Sequence, residues 1–218
     1  PHCHGVQTAP AGPCADPGGV GIAIRISTVP QCPRAQKYPS MPNIYLAGPT
    51  VFFRESEAAF ADLERLCRAR QLNPVRPAEP VDASGHLLTG AAAAKHLFEQ
   101  NTLRIRGASG VLADLRPFRG ELEPDSGTVF EVGFAHALGK PVAAVLADGR
   151  DWGSRVRSAC GVGPLSPGGQ EMDGRYDMLI EDFGGRLNLM LSEACRVFQN
   201  ASAALDWLAT SVERDGPQ

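Results

Sequence analysis

The stretch Val111–Leu146, VLADLRPFRGELEPDSGTVFEVGFAHALGKPVAAVL, decides the fold. Val111, Leu112 and Ala113 are an apolar run ending in Asp114, and Val142–Leu146 is a second such run. Between them come a polar loop bearing Pro and Gly, then Asp125-Ser-Gly-Thr, then a helical pattern from Thr128 to Leu138. Strand, helix and strand in this order predict a βαβ unit with parallel strands. Ligands of open α/β sheets bind in loops at the carboxyl ends of the strands. The loop after Asp114 therefore comes first, and with the start of its helix it holds Asp125, Glu131, Phe118, Arg119 and Gly120. That mix can stack on, hydrogen-bond to and closely approach a small ligand.

Both carboxylates also have purely local readings. Thr128-x-x-Glu131 fits a capping box, which puts Glu131 in the first helical turn with its side chain on the N-cap N–H. Asp125 fits a turn residue that bonds its own backbone. Placed at a helix start, Glu131 would be held ionised by the dipole and the free N–H groups, a state that suits a nucleophile. Arg119 fits substrate contact and the pinning of its own loop equally.

The alternation continues on both sides. Ile44–Ala47 reads as a short strand, Glu55–Arg70 as a helix and Pro74–Arg76 as at best a short strand. Ala91–Gly107 reads as a helix. Gly149–Arg175 is a Gly-rich loop without a clear element, a length that compact domains keep for function. Leu187–Ala194 (helix), a strand near Val197 and a helix over Ala201–Val212 complete the chain. The predicted class is α/β: one doubly wound, flavodoxin-like (Rossmann-like) domain, with a parallel sheet of about five strands and helices on both faces. No GxGxxG follows a strand, which argues against a dinucleotide site.

Several segments together resemble the nucleoside 2-deoxyribosyltransferases. The central stretch Ala113–Pro141 carries most of the likeness. Asn43-Ile-Tyr-Leu-Ala-Gly-Pro49 with Val51-Phe-Phe53 is similar to that family's first strand and loop. His96-Leu-Phe-Glu-Gln-Asn101 resembles a helical segment that contacts substrate, and Phe183–Leu191 a late segment carrying Asn-Leu-Met. The four occur in the family's order and span Met41 to about Ala209.

The resemblance implies that Glu131 attacks the anomeric carbon of a 2'-deoxynucleoside and displaces the base. A covalent deoxyribosyl-enzyme results, which a second base opens, so two inversions give net retention. It assigns Asp125 to proton transfer with the nucleobases and Tyr45 to holding Glu131 in line. Substrate contact is implied for Gly48, Phe52, Asn101, Asp114, Phe118, Arg119, Gly127, Asn188 and Met190. Asn188 is implied to reach the sugar hydroxyls of a neighbouring subunit's site, so a homo-oligomer with shared active sites is expected. Many relatives carry Asp where this chain has Asn101, and an amide there offers a donor as well as an acceptor. Ser109 also replaces a frequent Asp.

Two other functions are compatible with this scaffold. One is hydrolysis of (deoxy)nucleosides or nucleoside 5'-monophosphates, with water as acceptor. Pro49-Thr-Val-Phe-Phe-Arg54 is bulky and apolar for a phosphate loop, although Arg54 supplies a cation. The other is a non-catalytic nucleotide-binding module, against which the joint presence of Tyr45, Asp125, Glu131 and Asn188 argues.

Composition sets outer bounds. At 218 residues and 43% hydrophobic, the chain can bury one sizeable core. A net charge of −3 without a basic run argues against nucleic acid, and no apolar stretch has the length of a membrane span. Six cysteines without CxxC pairing, Cys67 and Cys195 lying in apolar helical patterns, point to buried thiols and a reducing cytosol. His86, His96 and His136 lack metal-ligand spacing, and no metal or cofactor is expected. Trp152 fits packing, or a cover for a base or another subunit.

Residues 1–40 are rich in Pro, Gly and Cys and are predicted to be a disordered or weakly structured extension, neither a secretory signal nor, at His2-Cys3-His4, a metal site. A marginal strand is read at Ile22–Val29. Met41 is read as the start of the catalytic domain, residues 41–218.

Overall fold

The computed structural model describes residues 41–214. The expectations for residues 1–40 lie outside the described residues. The elements are β1 (Asn43–Ala47), α1 (Ser56–Arg68), β2 (Asn73–Val75), α2 (Gly90–Gly107), β3 (Gly110–Asp114), α3 (Ser126–Ala137), β4 (Val142–Val145), α4 (Trp152–Cys160), α5 (Leu189–Ala194), β5 (Arg196–Phe198) and α6 (Ala201–Arg214). The strands form one sheet in the order β2-β1-β3-β4-β5, every pair parallel. This is the doubly wound, flavodoxin-like order, and its switch point lies between β1 and β3.

Strand alternation divides the core. Tyr45, Ala47, Val111, Ala113, Val142 and Ala144 pack on one face with Ile105 of α2, Val132 and Ala135 of α3 and Leu191 of α5. Ile44, Leu46, Leu112 and Ala143 pack on the other with Phe60 and Cys67 of α1 and Ala204, Leu205 and Leu208 of α6. Successive side chains of a strand point to opposite faces, so a parallel sheet covered on both sides is apolar at nearly every position.

Two expectations are corrected here. The segment Gly149–Arg175 is not without structure, because α4 occupies its first third. Asp151 caps α4 by accepting from the Ser154 N–H, and buried Trp152 and Arg155 anchor it. Helix α4 is short, and its apolar positions Trp152, Val156, Ala159 and Cys160 are interrupted by Ser and Arg, so its period is easily passed over in sequence. Further on, Asp173 is buried and accepts from the N–H groups of Arg175, Tyr176 and Met178, which folds the rest of the segment onto itself. Helix α3 also begins two residues earlier than read, at Ser126, capped by Asp125.

At the switch point β1 is followed by Gly48 and a short 3-10 turn at Pro49–Phe52. Gly48 has φ 153°, and a Cβ there would lie 2.9 Å from Asp114 Cβ. Only glycine adopts this conformation readily and lets the first loop run against the end of β3. Gly48→Ala is therefore expected to cost about 1–3 kcal/mol of stability through strain and crowding, measured by urea unfolding. Wild-type stability in that variant would mean that the two loops separate without cost.

Candidate active site

Tyr45 stands in the middle of β1, fully buried, and its Oη donates to Glu131 Oε1 at 2.6 Å. Glu131 is the sixth residue of α3, one and a half turns from its start. The local reading of Thr128-x-x-Glu131 as a capping box does not hold: the N-cap is Asp125, and the N–H of Thr128 goes to its carboxylate. Thr and Glu three apart match the motif, but Asp125 starts the helix about one turn earlier and takes the N–H of Thr128 itself.

This changes the electrostatics of Glu131. The helix dipole fades within the first turn, so it does not hold this carboxylate ionised. Burial dominates and pushes the Glu131 carboxyl up to about 7. The Tyr45 hydrogen bond opposes that rise, and the nearby charge of Asp125 adds to it. Burial, followed by the charge of Glu131, drives the Tyr45 phenol far above its ordinary range, while Arg104 pulls the other way. Tyr45 thus donates at any ordinary pH, and near neutrality Glu131 is poised between its two forms.

Asp125 Oδ2 accepts from both the N–H and the Oγ1 of Thr128, each at 2.9 Å. The cap fixes the carboxylate at the mouth of α3. A Cβ on Gly127 would stand 3.1 Å from that oxygen, so a bare backbone keeps its approach open. Asp114, at the end of β3, accepts from the N–H and Nε of Arg116 at 3.1 and 2.7 Å.

An aromatic rim borders the loops. Phe52 and Phe118 stack with centroids 5.4 Å apart, and the Arg119 guanidinium lies 4.7 Å from the Phe118 ring and 5.6 Å from that of Phe52. Arg119 has φ 56°, uncommon for a non-glycine residue, and Phe52 is 59% exposed. The loops after β1 and β3 are thus joined by flat, polarisable side chains open to solvent.

The remaining predicted residues are placed less simply. Asn101 Oδ1 accepts from the N–H of Ala78 at 2.7 Å, so the amide holds the segment after β2. An aspartate would accept that N–H equally well. An open cleft of about 530 Å³ beside α2 is lined by His96, Gln100 and Arg104 with Arg76, Glu79 and Asp82. Residues four apart share a helix face, so Gln100 and Arg104, which the sequence reading passed over, line the cleft and Asn101 does not. Arg104 also donates to the Arg76 carbonyl at 2.8 Å. Asn188 caps α5 through Oδ1 and the N–H of Leu191 at 3.1 Å, and Met190 is 77% exposed. The structure thus joins Tyr45 to Glu131 by a hydrogen bond and sets Asp125 near enough to raise its proton affinity. It records no such contact from Asn188 or Met190. Trp152 is buried against Arg155 of its own helix, which favours the packing reading.

Residues 44–190 match the family model described as nucleoside 2-deoxyribosyltransferase. The chain is similar to the solved structure of a 2-deoxyribosyltransferase from Leishmania mexicana, 30% identical, covering 78% of this chain and 97% of that one, with TM-score 0.59. It shares its fold with a conserved protein from Enterococcus faecalis V583, 20% identical, covering 78% and 99% of the two chains, with TM-score 0.50. An uncharacterised Schizosaccharomyces pombe protein is 31% identical over 126 residues, 58% of this chain. That stretch spans 59% of the yeast protein's length.

Removing the Tyr45 hydroxyl tests the carboxyl environment directly. Tyr45→Phe deletes the interaction that favours ionised Glu131, so its titration should move to higher pH, above about 7. The linkage has a definite sign. A carboxyl raised in the folded state binds a proton that the unfolded chain has released, so stability falls as pH rises from the ordinary carboxylate range through about 7. In Tyr45→Phe that window should extend upward. Carbon-13 NMR of the Glu131 carboxyl reads the shift, and an unchanged or lowered midpoint would show that the hydrogen bond does not tune it.

Proposed function

The chain belongs to the nucleoside 2-deoxyribosyltransferase family, and we propose that it transfers 2-deoxyribose between nucleobases through a covalent intermediate on Glu131. The observation that carries this reading is a half-buried carboxylate held by a phenol at the switch point, with a second carboxylate near enough to raise its proton affinity. In the first step a Glu131 oxygen bonds to C1' as the C1'–N bond breaks. The base leaves with the electron pair and takes a proton from Asp125. In the second step a nitrogen of the incoming base bonds to C1', the ester C–O bond breaks, and the proton returns to Asp125. Two inversions leave the configuration retained.

The environment of Glu131 suits this sequence. A desolvated carboxylate is a stronger nucleophile than a hydrated one, and the Tyr45 donor aims it. The rim of Phe52, Phe118 and Arg119 suits the face of a nucleobase, since every base offers a π-surface to aromatic rings and guanidinium groups. Asp114, Gly48 and Gly127 would line the approach, and Asn101 would act through the segment it holds. The three free thiols among the described residues suit a reducing cytosol. A hydrolase on the same scaffold differs only in its acceptor, and exposed Arg54 is the feature that favours it.

Glu131→Gln should fold, because the Gln oxygen still accepts from Tyr45, and should lose turnover on the order of a thousandfold or more. With deoxyinosine and no acceptor, acid-quenched wild type should carry a deoxyribosyl group on the peptide containing Glu131. An adduct on Asp125 would reverse the two roles, which the raised proton affinity of Glu131 would otherwise suit. Deoxyadenosine formed on adding adenine supports transfer, whereas hypoxanthine release indifferent to adenine supports hydrolysis.

The oligomeric reading rests on exposed apolar side chains. Met190, Phe183, Met178 and Leu179 are all more than half exposed in one chain, as is Phe98 on α2. Large exposed apolar areas mark interfaces. With Asn188 completing a neighbour's sugar site, mixing Glu131→Ala with Asn188→Asp protein should restore activity that neither shows alone. Asp keeps the α5 cap, while it replaces the neutral amide donor with a charged acceptor. Mixed oligomers seen by mass spectrometry that stay inactive would place Asn188 outside a shared site.

A further inference from the structure

Arg155 is 2% exposed, yet its nearest carboxylate, Asp148, is 3.9 Å from its Nε. Asp148 is engaged more closely by Arg150, at 2.6 Å. What Arg155 does bond to is backbone. Its Nη2 donates to the carbonyl of Leu122 at 2.9 Å and its Nη1 to the carbonyl of Arg186 at 3.0 Å. Leu122 lies three residues before Asp125, in the loop after β3. Arg186 lies two residues before Asn188. One planar fork thus clamps the approach to both residues from α4.

A second guanidinium extends the clamp. The Arg186 Nη2 donates to the carbonyls of Leu146 and Asp148, just beyond β4. The Trp152 N–H adds a bond to the Gly185 carbonyl at 2.7 Å. The loop after β3 is itself stiff: the Phe118 N–H closes it on the Glu123 carbonyl at 2.9 Å, and Pro124 is buried just before Asp125. Proline fixes φ, so movement at Leu122 is carried to Asp125 rather than absorbed between them. Burying a guanidinium is costly, and stability alone would be served as well by an apolar residue of similar size. The guanidinium here does what an apolar residue could not: it joins two carbonyls, each a few residues before a proposed functional residue.

We propose that Arg155 is a positioning residue, fixing the Asp125 carboxylate at its cap by bridging the Leu122 and Arg186 carbonyls. The proposal rests on the transfer reading above. Arg155 is buried and acts through the two carbonyls it holds. Its effect should appear chiefly in the step where Asp125 moves a proton, because buried Pro124 ties Leu122 to Asp125 and misplacement of a catalytic group by about 1 Å can cost about a hundredfold.

The test is Arg155→Lys, which keeps the charge and most of the length but cannot bridge two carbonyls with a planar fork. The kcat for deoxyinosine with adenine should fall roughly tenfold to a hundredfold. With a nitrophenyl deoxyriboside, whose leaving group departs without protonation, the fall should be less than about threefold. Hydrogen exchange in residues 116–125 should rise in the free variant. Asp148→Asn, which leaves the fork in place and weakens its counter-charge, should show the same pattern to a smaller degree, and it serves if Arg155→Lys does not fold. Equal losses on both donors, or unchanged exchange in residues 116–125, would overturn the proposal. A wild type that turns over neither donor overturns the transfer reading instead, and the exchange data then decide on the clamp alone.

Discussion

The Tyr45–Glu131 hydrogen bond joins the first strand to the helix after β3, and the arrangement of the site follows from it. A carboxylate taken out of water is costly unless something compensates, and here a single phenol does so at 2.6 Å. Compensation is incomplete, which is why the proton affinity of Glu131 rises to about 7. A fully compensated carboxylate would be stable and inert. An uncompensated one would remain protonated through neutral pH. Tyr45 itself has no choice of state, because its burial keeps the hydroxyl proton in place. The pair therefore acts as one acceptor with a fixed donor.

That pair is placed by the sheet. In a parallel sheet all strands leave their carboxyl ends on one side, and at the β1/β3 switch point the connecting helices diverge to opposite faces and leave a crevice. Gly48 lets the β1 loop lie against Asp114, with no room for a Cβ. Phe52 and Phe118 then meet across the two loops, with Arg119 over both rings. These rings are open to solvent on the carboxyl side of the sheet, where β1 and β3 end. Arg155 and Arg186 hold by backbone carbonyls what no secondary structure holds.

Asp125 shows how one side chain serves two purposes. Its Oδ2 closes the first turn of α3, so the helix start and the carboxylate position are one constraint. Asn188 and Asn101 resemble it, each satisfying a backbone N–H while standing in a segment linked to substrate by family likeness. Polar residues that cap also stay in fixed rotamers, and fixed rotamers are what a small-molecule site requires.

Much of this was legible in the chain alone. The apolar runs at Ile44, Val111 and Val142 and the helical periods between them determined a parallel doubly wound sheet, because a strand buried on both faces and an amphipathic helix leave different periodicities. Asp125 and Glu131 stood out by their place after a strand, and Tyr45 only by family likeness. Three things required the tertiary structure. Which residue caps α3 depended on where the helix starts: Asp125 accepts the Thr128 N–H and draws Thr128 into the first turn, and motif spacing alone does not contain that. The protonation of Glu131 depended on burial, which a local sequence window does not contain. Helix α4 and its Arg155 were missed because the helix is short, its apolar positions Trp152, Val156, Ala159 and Cys160 are separated by polar and charged residues, and it is held by a cap, a buried guanidinium and distant carbonyls. Local pattern determines which elements form. Desolvation and long-range hydrogen bonds, which arise only once those elements meet, determine what their side chains can do.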